Sequence, residues 1–358
     1  MEKSQHYGHN SVSPLLFGNI HSGALAYLMA IHRSNLPQLK GDLYVAYTGM
    51  ETDLMFTQSV DLPGFASYPL LESKEGRAQL NGYYRDLIAV GKEHGIGVIL
   101  ESPTWVANRD RGAAVGYSPE QLIDLNKKAI AHMCAARDEL GDLPTVISAN
   151  VGPRADAYAP SEQMSAVEAE AYHLEQITTL AETHVDLISG YTLAYFAEAV
   201  GIVRAAKLFG LPVVIAFTVE TDGCLPTGAS LEEAITQVDA ATGGYAAYFM
   251  INCAHPDHFG NVLTDAPWIQ RVRGIVANAS RCSHAELDEA EELDDGDPNE
   301  LGQQLAEIRR RFPHINVLGG CCGTDMRHMS SIARAAKTTE TDRLRITGNR
   351  SKRAPCCP

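Results

Sequence analysis

The strongest constraint on this chain is a rhythm: short apolar runs rich in β-formers recur, each followed by a segment with helical spacing. The runs are 43–49 (LYVAYTG), 96–102 (IGVILES), 145–150 (TVISAN), 185–190 (VDLISG), 212–218 (PVVIAFT), 246–252 (AAYFMIN), 272–279 (VRGIVANA) and 315–320 (INVLGG). Several are nearly continuous in Val, Ile, Leu and Ala, as strands covered on both faces of a parallel sheet must be. Between them, 118–140 opens on Ser118 and Pro119, an N-cap and first-turn pair. Another segment opens with Ser230 and Glu233 at capping-box spacing. Eight strand–helix units are the number a closed (β/α)8 TIM barrel requires. A doubly wound open sheet competes, because strand count alone does not remove it. The expectation is an α/β chain with a single barrel domain over 43–337. An N-terminal extension over 1–42 is expected to be helical or loose, and a basic tail over 338–358 to be disordered.

Among 358 residues, 29 Lys and Arg stand against 44 Asp and Glu, a formal charge of −15. With 45% hydrophobic and 20% charged residues, a disordered or fibrous chain is excluded. Nucleic acid and anionic membrane are disfavoured as partners, since either demands a basic face. No apolar stretch reaches the ~18 residues of a membrane span. In the N-terminal run 13–32, Asn19, His21 and Ser22 interrupt what would be the apolar block of a signal sequence. Eight cysteines are too sparse for a disulfide framework and favour a reducing cytoplasm. The run 286–300 carries nine carboxylates and reads as a solvated loop or exposed helix.

In a barrel of this kind the chemistry sits at the C-terminal ends of the strands. Those ends carry Thr48, Glu51 and Thr52, then Glu101, Asn150, Tyr191, Glu220, Asn252, Cys253, Asn278, Cys321 and Cys322. Polar residues are expected wherever strands give way to loops. The cysteines are not. Cys253 follows the sixth run and Cys321–Cys322 follow the eighth, 68 residues later. That is about two βα units, so a closed barrel sets both ends on one rim. Three converging thiolates with a fourth position left for substrate describe a catalytic zinc site. Neighbouring residues in a strand face opposite ways, so Cys321 and Cys322 can share an ion only if the chain turns there. Gly319, Gly320 and Gly323 supply the freedom for that turn. Taken singly, each cysteine is as well explained as a small buried hydrophobe. The pair Cys356–Cys357 lacks both strand and glycines, and Cys134, Cys224 and Cys282 read as non-ligands.

At this separation, GGCCGTDMRH (319–328) and INC (251–253) resemble the glycine–cysteine motif and single-cysteine strand end of the zinc-dependent homocysteine S-methyltransferases. TGMETDLMF (48–56) is similar to that family's first-strand loop, and the likeness covers about residues 43–335. The resemblance implies a (β/α)8 barrel in which Cys253, Cys321 and Cys322 hold zinc. The implied activity is a one-carbon transfer: a methyl group passes to homocysteine sulfur, giving methionine. The implied partners are a small-molecule thiol and a methyl donor, with room for a homo-oligomer. A free thiol, pKa near ~8.5, is mostly protonated at neutral pH, whereas zinc deprotonates it. The attacking group would thus be the zinc-bound substrate thiolate, with no protein nucleophile. A sulfonium donor such as S-methylmethionine or S-adenosylmethionine suits so anionic a pocket, as does a betaine-type nitrogen.

Two positions depart from the family pattern. The family's first loop usually begins Asp-Gly-Gly, where this chain has Tyr47, Thr48 and Gly49. The fourth-strand end often places a Glu for the substrate ammonium, and here Tyr191 stands, followed by Thr192. Glu51, Glu101 and Glu220 are the candidates for that anionic role; Thr52, Asn150 and Tyr191 are candidates for orienting substrate. Arg154 reads as a local salt bridge, and His328 as part of a helix capped by Thr324 or Asp325. His255 and His258 lie near Cys253 without being ligands. A different thiol or selenol acceptor, and a barrel that binds zinc or an amino acid without turnover, stay open beside homocysteine.

Overall fold

The computed structural model describes residues 30–158 and 162–350, with side chains to residue 338. Its strands are β1 (Tyr44–Ala46), β2 (Gly97–Glu101), β3 (Thr145–Val151) and β4 (Leu187–Leu193), then β5 (Val213–Phe217), β6 (Tyr248–Asn252), β7 (Val272–Ala277) and β8 (Val317–Gly320). They fall on the eight apolar runs and pair in sequence order as a closed barrel. Closure is visible at Val45, which stands level with Val98 of β2 on one side and Leu318 of β8 on the other, both in parallel register. The open-sheet alternative is thereby removed.

Alternation along each strand divides the core in two. Tyr44, Ile99, Val146, Leu187, Val214, Tyr248 and Val317 pack together along the barrel axis. Their neighbours Val45, Val98, Ile147, Ile188, Val213, Phe249 and Leu318 pack outward beneath the helices. Both faces are buried, which is why the strand sequences show no polar alternation.

The longer helices are α1 (Lys74–His94), α2 (Pro119–Leu140), α3 (Ala166–Ala181), α4 (Phe196–Leu208), α5 (Leu231–Thr242), α6 (Pro298–Arg311) and α7 (Met326–Arg350). Ser118 and Gln121 form a reciprocal capping box on α2, and Ser230 accepts from the Glu233 N–H at the start of α5. Asp325, just ahead of α7, accepts from the Arg327 N–H at 2.8 Å. The long helix expected after β6 does not form. Pro256–Phe259 and a 3-10 turn at Pro267–Arg271 stand there instead, because Pro256, Gly260 and Pro267 punctuate the segment.

Residues 30–42, the described part of the N-terminal extension, carry a 3-10 turn at Pro37–Lys40 that lies across the barrel's lower mouth. Gln38 Nε2 donates to Tyr248 Oη at 3.2 Å, and Asn316 Nδ2 donates to the carbonyls of Gln38 and Asp42 at 2.7 and 2.6 Å. At the other end, α7 runs through Arg350, so 338–350 is helical where a disordered tail was expected. No proline interrupts it before Pro355. The remaining segments, 1–29 and 351–358 with Cys356 and Cys357, lie outside the described residues. Among the described residues, no helix is long and apolar enough to cross a membrane.

Candidate metal centre

The strand ends aim three sulfurs at one point. β6 stops at Asn252, and Cys253 takes the left-handed region at φ 56°, a costly conformation for a residue with a Cβ. It is held there at both ends. The Cys253 N–H donates to the Val276 carbonyl at 3.1 Å, and its own carbonyl accepts from His284 Nε2 at 2.6 Å. β8 stops at Gly320, where the chain turns: the Thr324 N–H and Oγ1 both donate to the Cys321 carbonyl. Of the three glycines expected to supply freedom, Gly323 supplies it with φ 78°. Gly319 and Gly320 stay in the strand and supply room instead. An added Cβ would lie 1.7 Å from the Ala46 carbonyl oxygen at Gly319, and 2.1 Å from Thr324 Oγ1 at Gly320.

Cys253 Sγ lies 3.0 Å from Cys321 Sγ and 3.6 Å from Cys322 Sγ. Sulfurs around a tetrahedral zinc with ~2.3 Å bonds sit about 3.8 Å apart, so a shift under about an ångström admits the ion. Among the described residues, no imidazole or carboxylate joins this group. Cys253 and Cys321 are buried and Cys322 is half-buried. Hydrogen bonds from Cys321, Cys322 and the Tyr158 hydroxyl hold Cys253 well below the ordinary thiol range. Their contacts with Cys253 push Cys321 and Cys322 above it. Tyr158 Oη donates to Cys253 Sγ at 2.9 Å, and its ring lies 4.0 Å from that of His284.

The sulfurs form part of the wall of a cavity of about 580 Å³ at the upper mouth, within the size range of small-molecule sites. Glu51, Thr52, Asn150 and Tyr191 line it. Glu51 accepts from Ser67 Oγ at 2.8 Å and from Tyr47 Oη, and burial raises its pKa. Thr52 Oγ1 accepts from the Gly323 N–H at 3.1 Å, tying the first loop to the cysteine turn. Asn150 Oδ1 is buried with no hydrogen-bond partner. Tyr191 packs against Tyr47, ring centres 6.0 Å apart.

Glu101 and Glu220 are not among the lining residues. Glu101 sits inside the barrel, where Ser189 Oγ donates to it at 2.6 Å and Tyr191 Oη at 3.3 Å. Burial lifts its pKa to about 7. Glu220 pairs with His284 Nδ1 at 3.2 Å. His255 caps the short helix Pro256–Phe259, His258 bonds the Arg281 carbonyl, and Arg154 pairs with Asp110.

Sequence reasoning passed over His284, Trp105 and Arg111, all of which line the cavity. The available signal was their place in the loops that follow β7 and β2. The acidic run is the end of a short helix, His284–Asp288, and the loop that leads into α6, with its carboxylates exposed except for half-buried Asp295. Leu287, Asp288, Glu292, Leu293 and Asp294 wall the cavity, with Asp294 accepting from Ser280 Oγ at 2.5 Å and Asp295 paired with Arg327. Its two leucines need cover, and the pinned carboxylates hold the segment over the mouth.

A family model described as homocysteine S-methyltransferase matches residues 45–336. No curated protein matches. Among solved structures, three forms of the homocysteine methyltransferase MmuM from Escherichia coli are similar, each at 18% identity. The oxidized form gives a TM-score of 0.63, covering 84% of this chain and 97% of its own. The metallated form gives 0.60, with 82% and 96% covered, and the apo form 0.56, with 84% and 98%.

Proposed function

The chain belongs to the homocysteine S-methyltransferase family and is a methyltransferase, and from that premise we propose that zinc held by Cys253, Cys321 and Cys322 serves its reaction. The reaction passes a methyl group from a sulfonium or betaine-type donor to the thiol of homocysteine, giving methionine. The observation that carries this reading is the meeting of three sulfurs from β6 and β8 at the wall of one cavity. When bound, zinc supplies an acceptor sulfur that is deprotonated at neutral pH yet still nucleophilic.

The protein's own groups supply placement. The Tyr158 hydroxyl and the His284 clamp fix Cys253 from two sides, as the partners behind a metal ligand do. Tyr47, Trp105 and Tyr191 wall the cavity with aromatic surface, which limits water around the reacting groups. In-line displacement needs orientation above all. The acceptor sulfur bonds the methyl carbon while the donor heteroatom keeps the electron pair of the breaking bond. Glu51, Thr52, Asn150 and Tyr191 are the residues that would orient the two substrates, and the reducing cytoplasm suggested by the cysteine usage would keep the thiolates available.

Zinc-loaded protein assayed against homocysteine, other thiols and a selenol, with S-methylmethionine, S-adenosylmethionine and betaine as donors, tests this. Methionine formation from at least one donor is expected. Transfer to another acceptor with none to homocysteine would reassign the acceptor, and thiol binding without any methylated product would make the chain a binding barrel.

A further inference from the structure

The short helix Arg109–Ala114 between β2 and α2 sends one guanidinium to the cavity, that of Arg111. Its neighbours are engaged locally: Arg109 pairs with Asp110 and Glu175, and Arg154 with Asp110. Arg111 is not. Its Nη1 is buried with no hydrogen-bond partner, and its Cζ lies 4.9 Å from the centre of the Trp105 ring. Asp156, Tyr172 and Tyr158 face it, and burial lowers its pKa despite them. Among the described residues that line the cavity, Arg111 is the only Lys or Arg, while Glu51, Asp156, Asp288, Glu292 and Asp294 are acidic. A buried N–H without an acceptor is costly, and a guanidinium stacked on an indole presents its edge as a rigid fork. That fork matches a carboxylate in two-point geometry. The acidic wall repels an anion elsewhere.

We propose that Arg111 receives the carboxylate of a substrate, and so selects for amino-acid substrates over thiols or onium compounds that lack one. The proposal rests on the methyl-transfer reading above. Two substrates can bring the carboxylate, homocysteine or a donor such as S-methylmethionine, and the test separates them.

Isothermal titration of zinc-loaded protein, as wild type, Arg111→Lys and Arg111→Ala, uses two ligand pairs. Homocysteine is set against homocysteamine, the same thiol without the carboxylate; S-methylmethionine is set against trimethylsulfonium. Zinc content is measured in each variant. For the pair whose carboxylate meets Arg111, wild type binds the carboxylate partner more tightly, and Arg111→Ala weakens that partner about 10- to 100-fold. Its carboxylate-free analogue is unmoved, and Arg111→Lys falls between. A preference confined to the first pair assigns the acceptor, and one confined to the second assigns the donor. Both pairs bound without preference, or with losses equal for both members, would overturn the proposal. If no thiol binds the wild type, the homocysteine reading fails separately, and the donor pair decides the role of Arg111.

Discussion

The two mouths of the barrel are made from the same strands yet built to opposite ends. At the lower mouth, Tyr44 and Tyr248 fill the axis and are almost wholly buried, and Gln38 and Asn316 stitch the 3-10 turn across the opening. At the upper mouth, the strand ends themselves carry three non-glycine residues in the left-handed region: Tyr47, Thr192 and Cys253. Buried amide oxygens without partners occur at both mouths, Asn150 Oδ1 and Asn278 Oδ1 above and Gln38 Oε1 and Asn316 Oδ1 below. Packing and pairing are spent below on holding the ring closed. Above, strain is tolerated because surrounding bonds hold it, as Asn252 does by bonding both the N–H and the Oγ1 of Thr192. The difference separates the residues that make the barrel from those that make it react.

The largest effect is expected at the sulfurs. Cys321→Ala and Cys322→Ala are each expected to abolish zinc binding and to cut methyl transfer by more than ~100-fold, beyond the loss of a partner behind a metal ligand. Unfolding midpoints measured without metal should shift little. Zinc analysis and activity together check this, and full zinc occupancy in both variants would remove them as ligands.

Tyr248→Ala probes the lower mouth in the opposite sense. Losing a fully buried ring is expected to cost about 3–5 kcal/mol of unfolding free energy in a denaturant titration. Zinc stoichiometry and KM per folded molecule should hold. A selective loss of zinc affinity would mean that the two ends are coupled.

Glu101 lies between the mouths, and its effect is smaller. Its carboxyl holds a proton to about pH 7 in the folded chain, against an ordinary value of 4.5. The folded state therefore binds the proton more tightly, and stability falls as pH rises from about 4.5 to 7. Glu101→Gln should remove that fall and be the more stable form above pH 7, by up to about 3 kcal/mol. Parallel stability–pH curves for the two proteins would show that the carboxyl is not so perturbed.

What could be read from sequence follows from what period and spacing encode. Doubly covered strands leave unbroken apolar runs, so all eight were visible; Cys253 and the Cys321–Cys322 pair stood out because glycines and strands frame them. The missing helix after β6 was written in Pro256, Gly260 and Pro267, but the regular rhythm masked it. Glu101 and Glu220 look alike as carboxylates at strand ends. Only the barrel's layering puts Glu101 beneath Tyr191, and only folding sets Glu220 behind His284. His284 and Arg111 carry no local pattern at all. His284 reaches the cavity through its bond to Cys253, 31 residues away, and Arg111 through a short helix that sets it over Trp105. The acidic run is exposed, as its charge count indicates, but that count hid the half-buried Leu287 and Leu293 at the cavity wall.

X-ray absorption at the zinc edge, recorded before and after adding homocysteine, shows whether the three cysteines share one ion and leave a place for the substrate thiol. Three sulfur neighbours at ~2.3 Å with one light atom are expected, becoming four sulfurs when the thiol is present. A first shell already completed by protein atoms, and unchanged by homocysteine, would contradict that arrangement.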